Sequence, residues 1–277
     1  MGRPASTFIA FGLFLAWTSV ITCAAEASPP RYDHVVVVIE ENHSLSQVEE
    51  SPYLASLAAR GVSFSHSFAV AHPSQPNYIA LFSGSTQGIR NDWRHDVSAP
   101  NLALSLHAAG LTFAGYSEDL PRTGFRGGSS HGYVRKHAPW ASFTNVPDAV
   151  NRPFTDFPSA DFSSLPTVSF VIPNLQDDMH DGSVEKGDQW LQAHMDDYAR
   201  WAVTHNSLLI VTFDEGPGSQ APEKTPIATI LAGAHVTAGV SDQPVTHYSI
   251  LRMIEDMYGL PYIGEDSAAS RITGIWD

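Results

Sequence analysis

Five consecutive β-branched residues, Val35-Val36-Val37-Val38-Ile39, constrain the fold of this chain more than any other stretch. Successive side chains of a strand point to opposite faces, so a half-exposed strand alternates apolar and polar residues. A run that is apolar at every position must be covered on both faces, the condition of a central strand in a parallel sheet. Runs of the same kind recur at Thr112 to Tyr116, Thr167 to Ile172, Ser207 to Phe213 and Ile227 to Ala232. Helical patterns fall between them. One covers Pro52 to Arg60 and closes at Gly61; another covers Asn101 to Ala109 and closes at Gly110. A long amphipathic segment covers Gln189 to Thr204, and Thr246 to Tyr258 opens on a capping threonine and stops at Gly259-Leu260-Pro261. This alternation predicts an α/β fold with a doubly wound, mostly parallel sheet and helices on both faces. Residues 122–160, rich in Gly, Ser, Pro and aromatics, break the rhythm and read as a loop-rich insert over the sheet edge. Its Phe125, Tyr133, Trp140 and Phe143 suit either a substrate pocket or core packing.

Residues 1–27 read as a secretory signal peptide. Arg3 gives a positive start, Phe8 to Val20 an uncharged apolar stretch, and Ala25-Glu26-Ala27 a small-x-small cleavage signal. The expectation is a secreted or periplasmic protein with a single domain over 28–277 and no stable membrane insertion. Cys23, the only cysteine, falls in the export segment. A metal in the mature chain would therefore be held by oxygen and imidazole rather than thiolate. The net charge of −14 argues against nucleic acid or an anionic membrane surface as a standing partner. Oligomeric state is not set by any feature of the chain.

In open α/β sheets ligands sit beyond the carboxyl ends of the strands. Here the first strand runs into Glu40-Glu41-Asn42-His43, the strand from Thr112 into Ser117-Glu118-Asp119, and the strand from Ser207 into Asp214-Glu215. The strand from Thr167 leads to Asp177-Asp178-Met179-His180-Asp181. Acids gathered at one edge suit a hard divalent cation, Mg²⁺, Ca²⁺ or Mn²⁺, and nearby histidine admits Zn²⁺. Asp214 and Glu215 emerge abruptly from an apolar strand, where two carboxylates with no cation between them would repel. Of the thirteen histidines, His180 and His137 fall in loops near this edge, and His247 opens the last helix; Asp178 and His247 are further candidate ligands.

The stretch His72-Pro73-Ser74-Gln75-Pro76-Asn77-Tyr78 holds a serine between stiff prolines, ahead of a short apolar helix expected over roughly Asn77 to Phe82. A helix N-terminus favours phosphate, so a rigid hydroxyl beside it reads as a nucleophile that attacks phosphorus. His72 and Asn77 are candidates for contacts to the substrate.

Six ordered motifs, H-V-V-V-V-I-E-E-N-H-S, H-P-S-Q-P-N-Y with S-G-S-T-Q-G-I, Y-V-R-K-H-A-P-W, I-P-N-L-Q-D-D-M-H-D-G-S, V-T-F-D-E-G and T-H-Y-S-I-L-R-M-I-E-D, span roughly Asp33 to Leu260. On these the chain resembles the phosphoesterase family of bacterial acid phosphatases and phospholipases C, within the alkaline-phosphatase-like superfamily. The resemblance implies a metal held by Glu41, Asn42, Asp214 and Glu215, with Ser74 as the metal-activated nucleophile. His180 and His137 match histidines that contact the phosphoryl group or protonate the leaving oxygen. Ser-x-Pro-Asn is also similar to the Thr-x-Pro-Asn of nucleotide pyrophosphatases, where an asparagine that binds phosphate corresponds to Asn91 or Asp92. Two-zinc members of the superfamily carry Asp-His where this chain has Asp214-Glu215. Sulfatases need an arginine where it has Tyr78. The expected activity is hydrolysis of phosphate monoesters, small-molecule or lipid, through a phosphoserine. The alternatives are a phospholipase C-type phosphodiesterase and an inactive phosphate- or metal-binding surface protein.

Overall fold

The computed structural model describes residues 1, 2, 4, 28–218 and 220–277. Nearly all of the expected signal peptide, Cys23 included, lies outside the described residues.

Eight strands form the main sheet: β1 (His34–Glu40), β2 (Val62–Phe64), β3 (Phe113–Ser117), β4 (Asn151–Pro153), β5 (Val168–Ile172), β6 (Ser207–Phe213), β7 (Thr229–Gly233) and β8 (Gly239–Ser241). Their order is β8-β2-β7-β6-β1-β5-β3-β4. The run β6-β1-β5-β3-β4 is parallel, while β7 is antiparallel to both β6 and β2. The sheet is thus mostly parallel, as the buried runs predict. The short strands β2, β4 and β8, the last two at the sheet edges, have no apolar run to announce them; Val240 of β8 is largely exposed.

The five principal helices are α1 (Pro52–Arg60), α2 (Ser74–Ser83), α3 (Leu102–Ala108), α4 (Val184–Thr204) and α5 (His247–Tyr258). They divide between the two faces according to the alternation of β1. Val35, Val37 and Ile39 share a core with Ile79 and Phe82 of α2, Leu106 of α3 and Ile250 of α5. Val36 and Val38 share the other with Leu54 and Leu57 of α1 and Leu191 and Tyr198 of α4. Every residue of β1 after His34 is buried. Each such apolar side chain stabilises the fold by roughly 1.5–3 kcal/mol.

Two helices start earlier than their apolar patterns. The helix α4 begins at Val184, where the Ser183 side chain accepts from the Lys186 amide at 3.2 Å. Its polar first turns serve a neighbour: buried Asp188 accepts from the backbone amides of Tyr53 and Leu54, both at 2.9 Å, and so caps α1. The helix α2 begins at Ser74 instead of Asn77. Pro76 lies in its first turn, where a missing amide hydrogen costs no intrahelical bond. At its other end Gly84 takes φ 65°, and a Cβ there would come within 1.9 Å of the Ile263 carbonyl oxygen.

The 122–160 insert is bound into the core. Trp140 is fully buried, with its ring against Gly115 of β3, where a Cβ would meet it at 2.1 Å. Its indole N–H donates to Asn151 Oδ1 at 2.7 Å. Tyr133 and Phe143 are buried too, and Phe125 packs partly buried against them, so these aromatics are core residues. Among the described residues no helix is long and apolar enough to cross a membrane.

Candidate active site

The carboxyl ends of β1 and β6 lie side by side, because Glu40 pairs with Phe213 in register and the Asp214 amide donates to the Glu40 carbonyl at 2.9 Å. Glu41 and Asp214 therefore leave the sheet together. Asn42 turns the chain through φ 56°, a left-handed conformation that asparagine tolerates. Its amide donates to Asp214 Oδ1 at 3.0 Å, and the Glu215 amide donates to the same oxygen at 2.6 Å.

The N-terminus of α2 faces this corner. Ser74 Oγ donates toward Glu41 Oε2 at 3.1 Å and lies 3.4 Å from Glu215 Oε1. One helical turn on, the Tyr78 hydroxyl donates to Glu41 Oε1 at 2.5 Å, as the i, i+4 spacing allows. His72 Nδ1 is hydrogen-bonded to Glu215 Oε2. Glu41, Asp214 and Ser74 are almost fully buried, and Glu215 is 5% exposed.

The insert and the β5 loop supply the opposite wall. His137 is buried, stacks on Tyr78 with ring centroids 5.0 Å apart, and sets Nε2 3.0 Å from Glu41 and Nδ1 3.2 Å from Asp178. His180 is partly exposed, with Nδ1 2.8 Å from Asp181 and its amide donating to Asp178 Oδ1 at 2.8 Å. Lys136 Nζ donates to Asp92 Oδ2 at 3.0 Å and lies 3.3 Å from His180 Nε2. Asp92 Oδ1 accepts from the Gln75 amide in the first turn of α2 at 3.0 Å.

Burial works against ionisation here, and the carboxyls resist each other. Asp214 is pushed well above the usual carboxylate range by desolvation and then by the charges of Glu41 and Glu215. Glu215 is raised to about 8, again by burial first and Glu41 second. Glu41 departs in the other direction. Burial would raise it, but the charge of His137 prevails and brings it down to about 2. Burial would likewise lower His137, and the charge of Glu41 instead lifts it to about 9.

The residues fit a divalent cation. Asp214 Oδ2 is buried with no hydrogen-bond partner, and the ring nitrogens of His137 meet only the carboxylate oxygens of Glu41 and Asp178. A cation would satisfy such atoms and the repelling carboxyls together. Among the described residues, ligand atoms of Glu41, His137 and His180 lie within 4.8 Å of one another. Glu41 thus belongs both to this nitrogen-containing group and to the carboxyl group with Asp214 and Glu215.

Several predicted site residues have other roles. Asn77 Oδ1 accepts from the amides of Val70 and Ala71, both at 3.0 Å, and Nδ2 donates to the Ala71 carbonyl at 2.9 Å and lies 3.4 Å from Glu215 Oε2. It thus ties the loop ahead of Ser74 to the carboxyl corner. Asn91 Oδ1 is bonded within its own loop, to the Trp93 amide and His95 Nε2, and Asp92 reaches the helix terminus in its stead. His247 Nε2 donates to the Phe213 carbonyl at 3.0 Å, and burial lowers it to about 4, so it supports the end of β6 as a neutral ring. The sequence does not by itself single out Lys136 or Tyr78, whereas Asp92 is the alternative to Asn91 that it offers. Lys136 and Tyr78 stand in the same short motifs as His137 and Ser74, and that adjacency is the signal that could have found them.

The match to known proteins agrees with this geometry. The model of the Phosphoesterase family matches residues 46–261. The chain belongs to that family. It is 43% identical over 276 residues to a phosphatidylinositol-3-phosphatase of Mycobacterium tuberculosis, covering 97% of this chain and 91% of that one. It is 30% identical to a phosphate-repressible acid phosphatase of Penicillium chrysogenum, covering 89% of this chain and 64% of the fungal protein. Its fold is similar to a protein of the alkaline phosphatase superfamily from Vibrio parahaemolyticus, with a TM-score of 0.60 at 11% identity over 89% of this chain and 72% of that one. It is also similar to the zinc-complexed periplasmic domain of EptC from Escherichia coli, with a TM-score of 0.52 at 11% identity over 86% and 85%. The fold is thus alkaline-phosphatase-like, and this phosphoesterase is a hydrolase of phosphoric esters.

Proposed function

We propose that this phosphoesterase is a secreted, metal-dependent phosphatase that hydrolyses monoesters through a phosphoserine at Ser74. The single observation that carries the reading is the position of the Ser74 hydroxyl at the start of α2, between Glu41 and Glu215. Glu41, Asp214 and Glu215, with Asn42 beside them, would hold the cation. When bound, it supplies positive charge that favours the ionised serine and offsets charge on the phosphoryl oxygens.

The chain's own residues do the rest. Ser74 Oγ attacks phosphorus as its proton passes to a carboxylate at its side, the O–P bond forms, and the bond to the departing alcohol breaks. Lys136 stabilises the equatorial oxygens. His180, partly exposed beside Lys136, protonates the leaving oxygen. Water then takes the phosphoryl group from Ser74, its proton received by His180 while the carboxylate returns its proton to Ser74 Oγ, and phosphate departs. His137, buried between Glu41 and Asp178, orients Glu41. The likeness to a phosphatidylinositol-3-phosphatase over almost the whole chain favours a phosphoinositide or other lipid monoester as substrate. Secretion rests on the charge, apolar run and cleavage signal of residues 1–27.

Release of inorganic phosphate from an aryl phosphate tests the reading, measured before and after chelation and with single divalent cations restored. Loss on chelation and recovery with one cation is the expected result. Full activity in a chelated, metal-free protein would refute the metal dependence, and no release under any condition would refute the phosphomonoesterase.

A further inference from the structure

We propose that a cavity adjoining the site binds a second anionic group of the substrate, so that the preferred substrates are phosphomonoesters carrying another phosphate about one ring away. This rests on the phosphomonoesterase reading and names its substrate class. The cavity encloses about 220 Å³ and is lined by Gln75, Trp93, Arg94, Gly128, Arg135 and Lys136, with Asp92 and Val134. That is below the roughly 300–1,000 Å³ of a pocket for a drug-sized ligand. It suits a phosphoryl group with part of its ring and excludes an acyl chain pair.

Three features point to an anion. Seven of the fifteen Lys and Arg residues, against five of the twenty-nine acids, fall between residues 90 and 152, in a chain whose net charge is −14. Three of those cations line the cavity. The only acid of the lining, Asp92, is already matched by Lys136 at 3.0 Å and by the Gln75 amide at 3.0 Å. Arg135 is 3% exposed; its Nε and Nη2 donate to the Ala141 carbonyl and Nη2 also to Asp96, while buried Nη1 has no partner. Arg94 is mostly exposed and only loosely paired with Asp96, at 3.8 Å, which leaves its guanidinium available for a bidentate phosphate contact.

The cavity shares a wall with the catalytic groups. Gln75 follows Ser74 in the chain, and Lys136 lines the cavity while its Nζ lies 3.3 Å from His180 Nε2. A substrate with one phosphoryl group at Ser74 would direct a second toward Arg94 and Arg135. Trp93, 76% exposed on the rim, offers an indole face to the ring between them.

The test compares kcat/KM for soluble inositol 1,3-bisphosphate, inositol 3-phosphate, and phosphatidylinositol 3-phosphate in phosphatidylcholine vesicles, in the parent and in Arg94→Gln. Loss of a charge-assisted contact should lower the bisphosphate-to-monophosphate ratio roughly tenfold in Arg94→Gln. The same loss should appear with the vesicles if the lipid's phosphodiester fills the cavity. A ratio near one in the parent, or one unchanged by Arg94→Gln, would overturn the subsite. A preference seen only with vesicles would also overturn it and assign the face to a lipid surface. If none of the three releases phosphate, the aryl phosphate assay decides the phosphomonoesterase reading, and calorimetric titration with the two soluble phosphates decides the subsite. Tighter binding of the bisphosphate, weakened in Arg94→Gln, supports it, and equal binding refutes it.

Discussion

Two groups of buried carboxyls among the described residues differ in what surrounds them. At the carboxyl ends of β1 and β6, Glu41, Asp214 and Glu215 stand beside a serine, two histidines and a lysine, with Asp214 Oδ2 left unpartnered. At the end of α5, Glu255 is fully buried against Asp266, its two oxygens meet no donor, and Asp266 accepts only from the Ile263 amide, at 3.0 Å. Burial, then the hydrogen bond with Asp266 and its charge, raise Glu255 to about 10. One proton shared by the second pair settles its conflict. No single proton settles the first, which holds three acids around one hydroxyl. Crowded carboxyls are therefore not by themselves a candidate metal site; the difference lies in the serine hydroxyl, the histidines and the lysine that face the first cluster.

Substitutions can break or sharpen this contrast. The largest effect is expected from Ser74→Ala, which should lower aryl phosphate turnover by more than about 10³-fold while cation binding, followed by calorimetry, persists. Retention of a tenth of the activity would remove Ser74 from its role. Next, His180→Asn should cost about 10²–10⁴-fold with a poor leaving group and much less with an activated one. Equal losses for both would assign His180 a structural part.

Matched Glu→Gln changes then set the two clusters against each other. Glu215→Gln should weaken divalent-cation affinity at least ~10-fold and yet raise the melting temperature of the cation-free protein near neutral pH, since one repelling carboxyl is gone. A lower melting temperature of the cation-free form would contradict the repulsion. Glu255→Gln should leave turnover unchanged and act on stability alone. Between the usual carboxyl range and about 10, the folded protein holds a proton on Glu255 that the unfolded chain has lost. Stability from this group is full below that window and falls as pH rises through it. The amide donates to Asp266 at any pH, so Tm should rise on the order of 5 °C at about pH 8 and hardly move at about pH 4. A uniform shift across pH would show that the pair does not share a proton.

Most of the frame is legible in the sequence because the five longest strands are apolar at nearly every position and most helices carry clear stops. The site is legible where chemistry follows a strand directly, as with Glu41 after β1 and Asp214 after β6. It is less so where a residue's neighbours arrive from elsewhere. Asn77 reads as a substrate contact, but its amide is taken by a loop folding back on it. His247 opens a helix near the site, yet its ring is spent on the Phe213 carbonyl. Lys136 gains its role only because the insert is pinned by Trp140 against Gly115, a tertiary contact that local pattern does not encode. The Glu255–Asp266 pair is likewise invisible along the chain, since both residues look like solvated acids until packing buries them.

The most direct test of the nucleophile is acid-quenched peptide mapping during turnover of a labelled phosphate monoester, with the divalent cation present. Label on the peptide that carries Ser74, absent after chelation and absent in Ser74→Ala, is the predicted result. Full turnover with no label on the protein at any quench time would contradict the phosphoserine route and point to direct attack by water.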